Sequence, residues 1–263
     1  MLRFGILGWP LKYTESPLIF NSVFQKIGLE ATYEVFPMHA PMQDIWDFLK
    51  QKEICGLNVT TPYKERVLEW NIQWSEEVQA LGAANVIDFR TMRGYNTDGL
   101  GLIADLKQQH VTVQGANVLV LGAGGAARAA IYSLLKENAH IWLWNRTKER
   151  AETLRAMDSN KIFVVPWKNI PWKNISLILQ CTSVGMKGNE GNAWAGDVPD
   201  LKGKIVYDMI YQPRETMFCT IAKLKNAQVF SGIGMLIEQA RFGFEIWTGL
   251  QFPIDFVQNL SKI

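Results

Sequence analysis

Apolar residues recur along this chain in two alternating rhythms. Short runs dense in branched and aromatic side chains have the length and make-up of strands: LRFGIL (2–7), TYEVFPM (32–38) and ICGLNVT (54–60). Between them lie longer stretches with a helical period, SPLIFNSVFQKIG (16–28) and MQDIWDFLKQK (42–52). In the first of these Ser16 reads as the cap, Pro17 as a first-turn residue and Gly28 as the stop. The glycine-flanked junction GYNTDGLG (94–101) leads into a helix expected over 100–109. A second series follows: NVLVLG (117–122), AARAAIYSLLKENA (126–139), HIWLWN (140–145) and KERAETLRAM (148–157). The later strands are FVVP (163–166), LILQCTS (177–183) and KIVYDMI (204–210). This βαβα order predicts an α/β protein with mainly parallel sheets covered by helices, and two domains that meet near residue 100. No Pro/Ser-rich linker marks the joint. One short repeat, PWKNI at 166–170 and again at 171–175, reads as a duplicated surface segment.

Composition narrows the classes. With 263 residues, 48% hydrophobic and 20% charged, the chain is an ordinary globular sequence with material for two domains. A formal net charge of +2 supplies no basic field for nucleic acid or an acidic membrane surface. No run approaches the ~18 apolar residues of a membrane span, and MLRFGILGWP turns to Gly and Pro too early for a secretory signal. Cys55, Cys181 and Cys219 are odd in number and far apart, which fits a reducing cytoplasm. His39, His110 and His140 show no metal-ligand spacing with them, so no metal is expected.

The candidate chemistry starts at NVLVLGAGGAARAA. Gly122, Gly124 and Ala127 have G-x-G-x-x-A spacing, at the end of an apolar strand and the start of a helix. The first Gly permits the tight turn, and the second lets the backbone approach a pyrophosphate. The small third residue allows close helix–strand packing, with the helix N-terminus facing the phosphates. A tight β–α turn without a ligand is the plainer alternative. The end of the next strand chooses the cofactor. NAD sites usually present an acid there to the ribose 2′-hydroxyl, whereas this chain has Asn145, Arg146, Thr147, Lys148, Glu149 and Arg150. Arg146 and Arg150 can clamp a 2′-phosphate that an acid would repel. Two such bonds at ~1.5–3 kcal/mol each allow a preference for NADP of roughly 100-fold or more before screening. Lys148 reads as the solvated face of the next helix.

A nicotinamide cofactor implies hydride transfer, and a reduced carbonyl needs a proton. Lys64, crowded with Asn58, Thr60 and Thr61 in NVTTPYKE, is a candidate donor, and Asp98 in NTDG is its candidate partner. Both stand outside the nucleotide unit.

At this point several blocks fall into a known order. GWPLKYTESP, NVTTPYKE, GAANV, GYNTDGLG, VLGAGGAARA, NRTKER, YDMIYQP and GIGMLIEQA resemble, in sequence and order, the motifs of the shikimate dehydrogenase family. The resemblance covers nearly the whole chain. It implies that Lys64 is the acid/base, paired with Asp98, and that Asn85 and Thr60 bind the ring's hydroxyl side. It implies that Thr14, Ser16 and Tyr211 hold a carboxylate through hydroxyl donors, with Gln239 adding an amide. Glu76, Met209 and Gly232 would lie near the cofactor, with Gly122, Ala123, Gly124, Gly125, Ala126, Asn145, Arg146, Thr147 and Arg150 around its phosphates. The implied domains are a substrate domain over 1–100 with helices over 235–263 returning to it, and a Rossmann-type NADP domain over 101–234. Ser16 also reads as a helix cap, Asn85 as a turn residue and Gln239 as a helix-surface amide. Thr14 departs from the family, which usually has serine there; the hydroxyl survives and a methyl is added.

The expected activity is the NADP-dependent, reversible reduction of 3-dehydroshikimate to shikimate, on the route to aromatic amino acids. The expected partners are that small-molecule pair and the cofactor NADP, with no nucleic acid and no membrane, in a cytoplasmic monomer or homodimer. Three alternatives stand beside it: a broader quinate/shikimate dehydrogenase, a methylene-tetrahydrofolate dehydrogenase of similar architecture, and a silent NADP-binding sensor. The retained Lys64 and Asp98 argue against the sensor, and TESP and NTDG argue against the folate enzyme.

Overall fold

The computed structural model of the chain describes residues 1–11 and 14–260. Residues 12–13, inside the GWPLKYTESP segment, and 261–263, at the end of the C-terminal stretch, lie outside the described residues. The chain divides into two compact units, Met1–Leu100 with Ile237–Ile263, and Gly101–Leu236.

The first unit begins β1 (Leu2–Leu7), α1 (Ser16–Ile27), β2 (Ala31–Phe36), α2 (Met42–Gln51) and β3 (Gly56–Val59). It continues β4 (Gln73–Trp74), α3 (Glu76–Leu81), β5 (Val86–Asp88) and β6 (Arg93–Tyr95). The sheet order is β2-β1-β3-β5-β6-β4. β1 pairs parallel with β2 and β3, as the alternation of strand and helix predicts, because a parallel return needs a crossover helix. β3–β5 and β5–β6 are antiparallel. The sequence reading lacks β4, β5 and β6, which have two or three residues each and too few positions to show a period.

The end of α1 follows the expected chemistry: Gly28 adopts φ 68°, and its N–H reaches the carbonyls of Gln25 and Phe24. The start does not. Glu15 occupies the cap position without a side-chain bond, and Ser16 is already helical. The Thr14 hydroxyl oxygen instead accepts the Ser16 N–H at 3.2 Å. The cap position therefore falls on Glu15, one residue before the expected Ser16, and Thr14 bonds the first N–H of the helix.

The second unit carries the rest of α4 (Asp98–Gln108), whose first residues belong to the first unit. It continues β7 (Asn117–Leu121), α5 (Gly125–Lys136), β8 (His140–Trp144), α6 (Lys148–Arg155), β9 (Ile162–Val164) and β10 (Leu177–Gln180). β11 (Ile205–Asp208), α7 (Met217–Leu224) and β12 (Gln228–Ser231) follow. α8 (Ile233–Thr248) leads back to the first unit, and α9 (Ile254–Leu260) ends the described chain. All five strand pairs are parallel, in the order β9-β8-β7-β10-β11-β12. Renumbered within the unit this is 3-2-1-4-5-6, the doubly wound dinucleotide order, whose direction reverses between β7 and β10. β10 is buried at every position, as a central parallel strand with helices on both faces must be.

The PWKNI repeat is not a plain surface segment. Ile170 and Ile175, one from each copy, are buried in the core under β10 and α7. Trp167 meets Trp172, Trp144 and Trp194 edge-on at 5.4, 5.5 and 6.2 Å. Each copy thus supplies one aliphatic and one aromatic anchor to the same unit. The described residues contain no helix long and apolar enough to cross a membrane.

Candidate active site

In the first unit the loops after β3 and β6, the residue before β5 and the helix α8 bring five polar side chains together. Lys64 Nζ donates to Asp98 Oδ2 at 2.5 Å, with the two side chains 31% and 15% exposed. The other carboxylate oxygen, Oδ1, accepts from Asn85 Nδ2 at 2.8 Å. Asn85 Nδ2 also lies 3.1 Å from Thr97 Oγ1 and 3.4 Å from Gln239 Oε1. Asn85 is buried, and its Oδ1 accepts the Thr97 N–H at 2.8 Å. Asp98 is held at the helix start by Asn96, whose Oδ1 accepts the Asp98 N–H at 3.1 Å. An acid in the first turn of α4 is also favoured by the helix dipole.

The sequence places each part. The loop after β3 is anchored by Tyr63, whose hydroxyl donates to the Met38 carbonyl at 2.7 Å. The Lys64 carbonyl accepts the Ala84 N–H at 2.8 Å, tying the NVTTPYKE and GAANV blocks together. The Thr60 N–H donates to the Leu7 carbonyl at 2.9 Å, and its methyl packs where a side chain at Gly8 would stand. Thr14 and Ser16 lie at the start of α1, in the same unit. Lysine has three donor hydrogens and Asp98 takes one, so two face whatever else enters. Such a pair can pass a proton, and the amides and hydroxyls about it suit a hydroxylated ligand.

In the second unit Gly122 has φ +111°, and a Cβ there would press on Thr182 of the loop after β10. Glycine is required at that close approach, where the strand order reverses. A Cβ at Gly124 or Gly125 would meet nothing within 4 Å. Gly124 caps α5 without a side-chain bond, so the first N–H groups of that helix are left for a ligand. Ala123 and Ala126 complete this open turn, and Ala127 is fully buried against the sheet. After β8, Asn145 Nδ2 donates to the Thr147 carbonyl at 2.7 Å and shapes the next turn. Arg146 and Arg150 are exposed and have no carboxylate partner among the described residues. Backbone donors at a helix N-terminus and two free guanidiniums fit a phosphorylated dinucleotide.

Met209 and Gly232 stand together: a Cβ at Gly232 would run into the Met209 backbone. Tyr211 follows in the same second unit, whereas Glu76 opens α3 in the first. Asp208 fixes the turn that carries Met209 and Tyr211. Its Oδ1 accepts the Ile210 N–H at 3.0 Å and its Oδ2 the Thr216 hydroxyl at 2.5 Å. Burial raises the pKa of this carboxyl, opposed by those donors. Burial likewise lifts the Cys219 thiol to about 11, so it stays a thiol at neutral pH. Asn96, Thr97 and Asp208 escaped the sequence reading as individual residues, although each lies inside a quoted block. Tyr33 escaped it too, and Asn58 was noted only as a neighbour of Lys64. Asn58 carried a signal, its place in the polar cluster NVTTPYKE, and Tyr33 carried none.

Three family profiles match the chain: the shikimate dehydrogenase substrate-binding domain over residues 6–87, shikimate/quinate 5-dehydrogenase over 104–185, and the shikimate 5′-dehydrogenase C-terminal domain over 232–259. Shikimate dehydrogenase (NADP(+)) of Caldanaerobacter subterraneus is 36% identical over 97% of this chain and 94% of its own. The protein of the same name from Methanothrix thermoacetophila is 37% identical over 98% and 96%. The crystal structure of shikimate dehydrogenase from Aquifex aeolicus has a TM-score of 0.91 at 32% identity, covering 100% of this chain and 98% of that one. Shikimate 5-dehydrogenase from Thermus thermophilus, solved with NADP(H) and shikimate, has a TM-score of 0.86 at 31% identity, covering 100% and 99%.

Proposed function

The chain belongs to the shikimate dehydrogenase family, and from that premise we propose that it reduces 3-dehydroshikimate reversibly to shikimate with NADP as cofactor. The observation that carries the reading is the Lys64–Asp98 pair, closed on its second oxygen by Asn85. The first unit is the substrate unit in this reading, and the second holds the dinucleotide.

The cofactor, when bound, supplies the hydride that adds to the substrate carbonyl carbon. Lys64 gives one proton to the oxygen that becomes the hydroxyl, and in the oxidative direction it takes that proton back. Asp98 keeps the amine aimed and compensates its charge. The Asp98 carboxylate is itself locked, because Oδ1 is held by a buried amide and the backbone N–H of Asp98 by Asn96. Asn85, Thr60 and Gln239 offer amide and hydroxyl groups to the ring hydroxyls. Thr14 and Ser16 face the substrate carboxylate. Since the Thr14 oxygen already accepts the Ser16 N–H, its own hydrogen remains to be donated. Gly122–Ala126 and the α5 N-terminus would hold the pyrophosphate, and Arg146 with Arg150 the 2′-phosphate.

The test is the purified protein with NADP or NAD against shikimate or quinate, followed at the nicotinamide absorbance. Turnover of shikimate with NADP above the other three pairings is expected. Turnover of none of the four overturns the reading, and equal use of quinate assigns the broader dehydrogenase.

A further inference from the structure

Tyr33, Asn58 and Asn85 come from distant parts of the sequence, yet their polar atoms meet inside the first unit. The Tyr33 ring, 4% exposed, stacks on Phe20 with centroids 4.4 Å apart and planes 7° from parallel. That stack fixes where the phenol oxygen lies. The hydroxyl donates to Asn58 Oδ1 at 2.6 Å, and Asn58 Nδ2 donates to the Asn85 carbonyl at 3.2 Å. The Asn85 side chain donates in turn to Asp98, and Asp98 holds Lys64. The Ser16 side chain, at the start of α1, is buried in the same unit. Gly243 of α8 closes over the Asn58 amide, since a Cβ there would stand 3.7 Å from Nδ2.

The directions of these bonds are set by the donors available. A phenol has one hydrogen, and here it goes to Asn58. Asn58 must turn its oxygen to Tyr33 and its nitrogen to Asn85. Burial pushes the Tyr33 phenol well above its ordinary pKa, so it stays a donor throughout the working pH range. Low-dielectric surroundings strengthen each bond and leave no water to replace a lost one.

We infer that Tyr33 and Asn58 are positioning residues that hold the Asn85/Asp98/Lys64 cluster from behind: Tyr33 fixes Asn58, Asn58 bonds the Asn85 main-chain carbonyl, and the Asn85 side chain bonds Asp98. They set where the groups that handle the reacting oxygen stand. The inference rests on the reading of this unit as a shikimate site.

Tyr33→Phe keeps the ring stack and removes the link. Its kcat/KM for shikimate is expected to fall about 10- to 100-fold, through both KM and kcat, with the NADP dissociation constant unchanged. Combined with Asn58→Leu, it is expected to cost no more than about 3-fold beyond the worse single variant, because both cut one run of hydrogen bonds. The side-chain amide proton resonances of Asn58 and Asn85 are expected to move in Tyr33→Phe. That readout needs no turnover, so a failure of the shikimate assignment is distinguished from a failure of the run. If Tyr33→Phe does not fold, Asn58→Leu serves, since it is close in size, adds no charge and removes the donation to Asn85. A folded Tyr33→Phe or Asn58→Leu enzyme with wild-type kcat/KM overturns the inference. So do multiplicative losses in the double variant, or Asn85 amide resonances that stay in place.

Discussion

Replacing Asp98 by asparagine changes one atom pair and tests why the lysine is held as it is. The carboxylate accepts two donors on two oxygens, Lys64 Nζ at 2.5 Å and Asn85 Nδ2 at 2.8 Å. An asparagine there has one oxygen and one NH₂ group, so one of the two donors must face another donor. If the oxygen turns to Lys64, the buried Asn85 amide faces NH₂ and keeps only its weaker contacts to Thr97 and Gln239. If it turns to Asn85, the ammonium faces NH₂. Either way a largely buried donor is left facing a donor, at a cost of about 1–3 kcal/mol of stability. The charge that aims the lysine is lost as well. A mispositioned proton donor costs ~10²–10⁴-fold in rate, or about 2.7–5.5 kcal/mol of barrier. Steady-state kinetics with shikimate and NADP reads the rate, thermal melting reads the stability, and circular dichroism checks the fold. Asp98→Asn with Lys64→Ala is expected to lose far less than the product of the two single losses, because the pair acts as one unit. A folded Asp98→Asn enzyme with wild-type kcat would refute the reasoning. Multiplicative losses would place the two residues in separate steps.

Three further outcomes are expected. Arg146→Ala with Arg150→Ala should weaken NADP by roughly 100-fold or more and NAD much less; equal losses in titrations of the two cofactors would assign the arginines to the fold or the pyrophosphate. Thr14→Ser should keep activity, because the hydroxyl that accepts the Ser16 N–H remains, and shift the shikimate-to-quinate ratio by at most ~1–3 kcal/mol; complete loss would mean that the methyl is structural. Asp105 is 1% exposed and accepts the Tyr207 hydroxyl at 2.6 Å, and its pKa is raised by burial. Its folded pKa therefore exceeds the unfolded one, so its contribution is full below the ordinary carboxylate range and is lost as pH rises through the raised value. Melting temperatures measured from pH 4 to 8 should fall in wild type relative to Asp105→Asn as pH rises, and the opposite slope would contradict the burial argument.

The legible parts of this fold are those whose physics is local. The nucleotide turn could be read from Gly122, Gly124 and Ala127 because one close approach, at Thr182, admits no side chain at the first position. The main strands and helices could be read from their periods. β5 and β6 could not, since three residues carry no period and the pair is defined by its partners. The Ser16 cap failed because the helix begins at Ser16 itself, with Glu15 in the cap position and the Ser16 N–H bonded to the Thr14 hydroxyl oxygen. The PWKNI repeat misled for a related reason: short polar segments around a Trp and an Ile look like surface until the sheet that buries them is assembled. At the site, Lys64 and Asp98 stood out as charged residues in polar blocks. Tyr33 lies inside an ordinary strand pattern, and its polar role depends on Asn58, which is 25 positions away.

The most direct test of the account is the turnover of Lys64→Ala beside wild type, with shikimate and NADP saturating and the fold checked. The expected result is NADP reduction by wild type and a kcat lower by ~10²–10⁴-fold in the variant, with NADP affinity nearly unchanged. A folded Lys64→Ala protein that reduces NADP at the wild-type rate would contradict the claim that this lysine moves the proton.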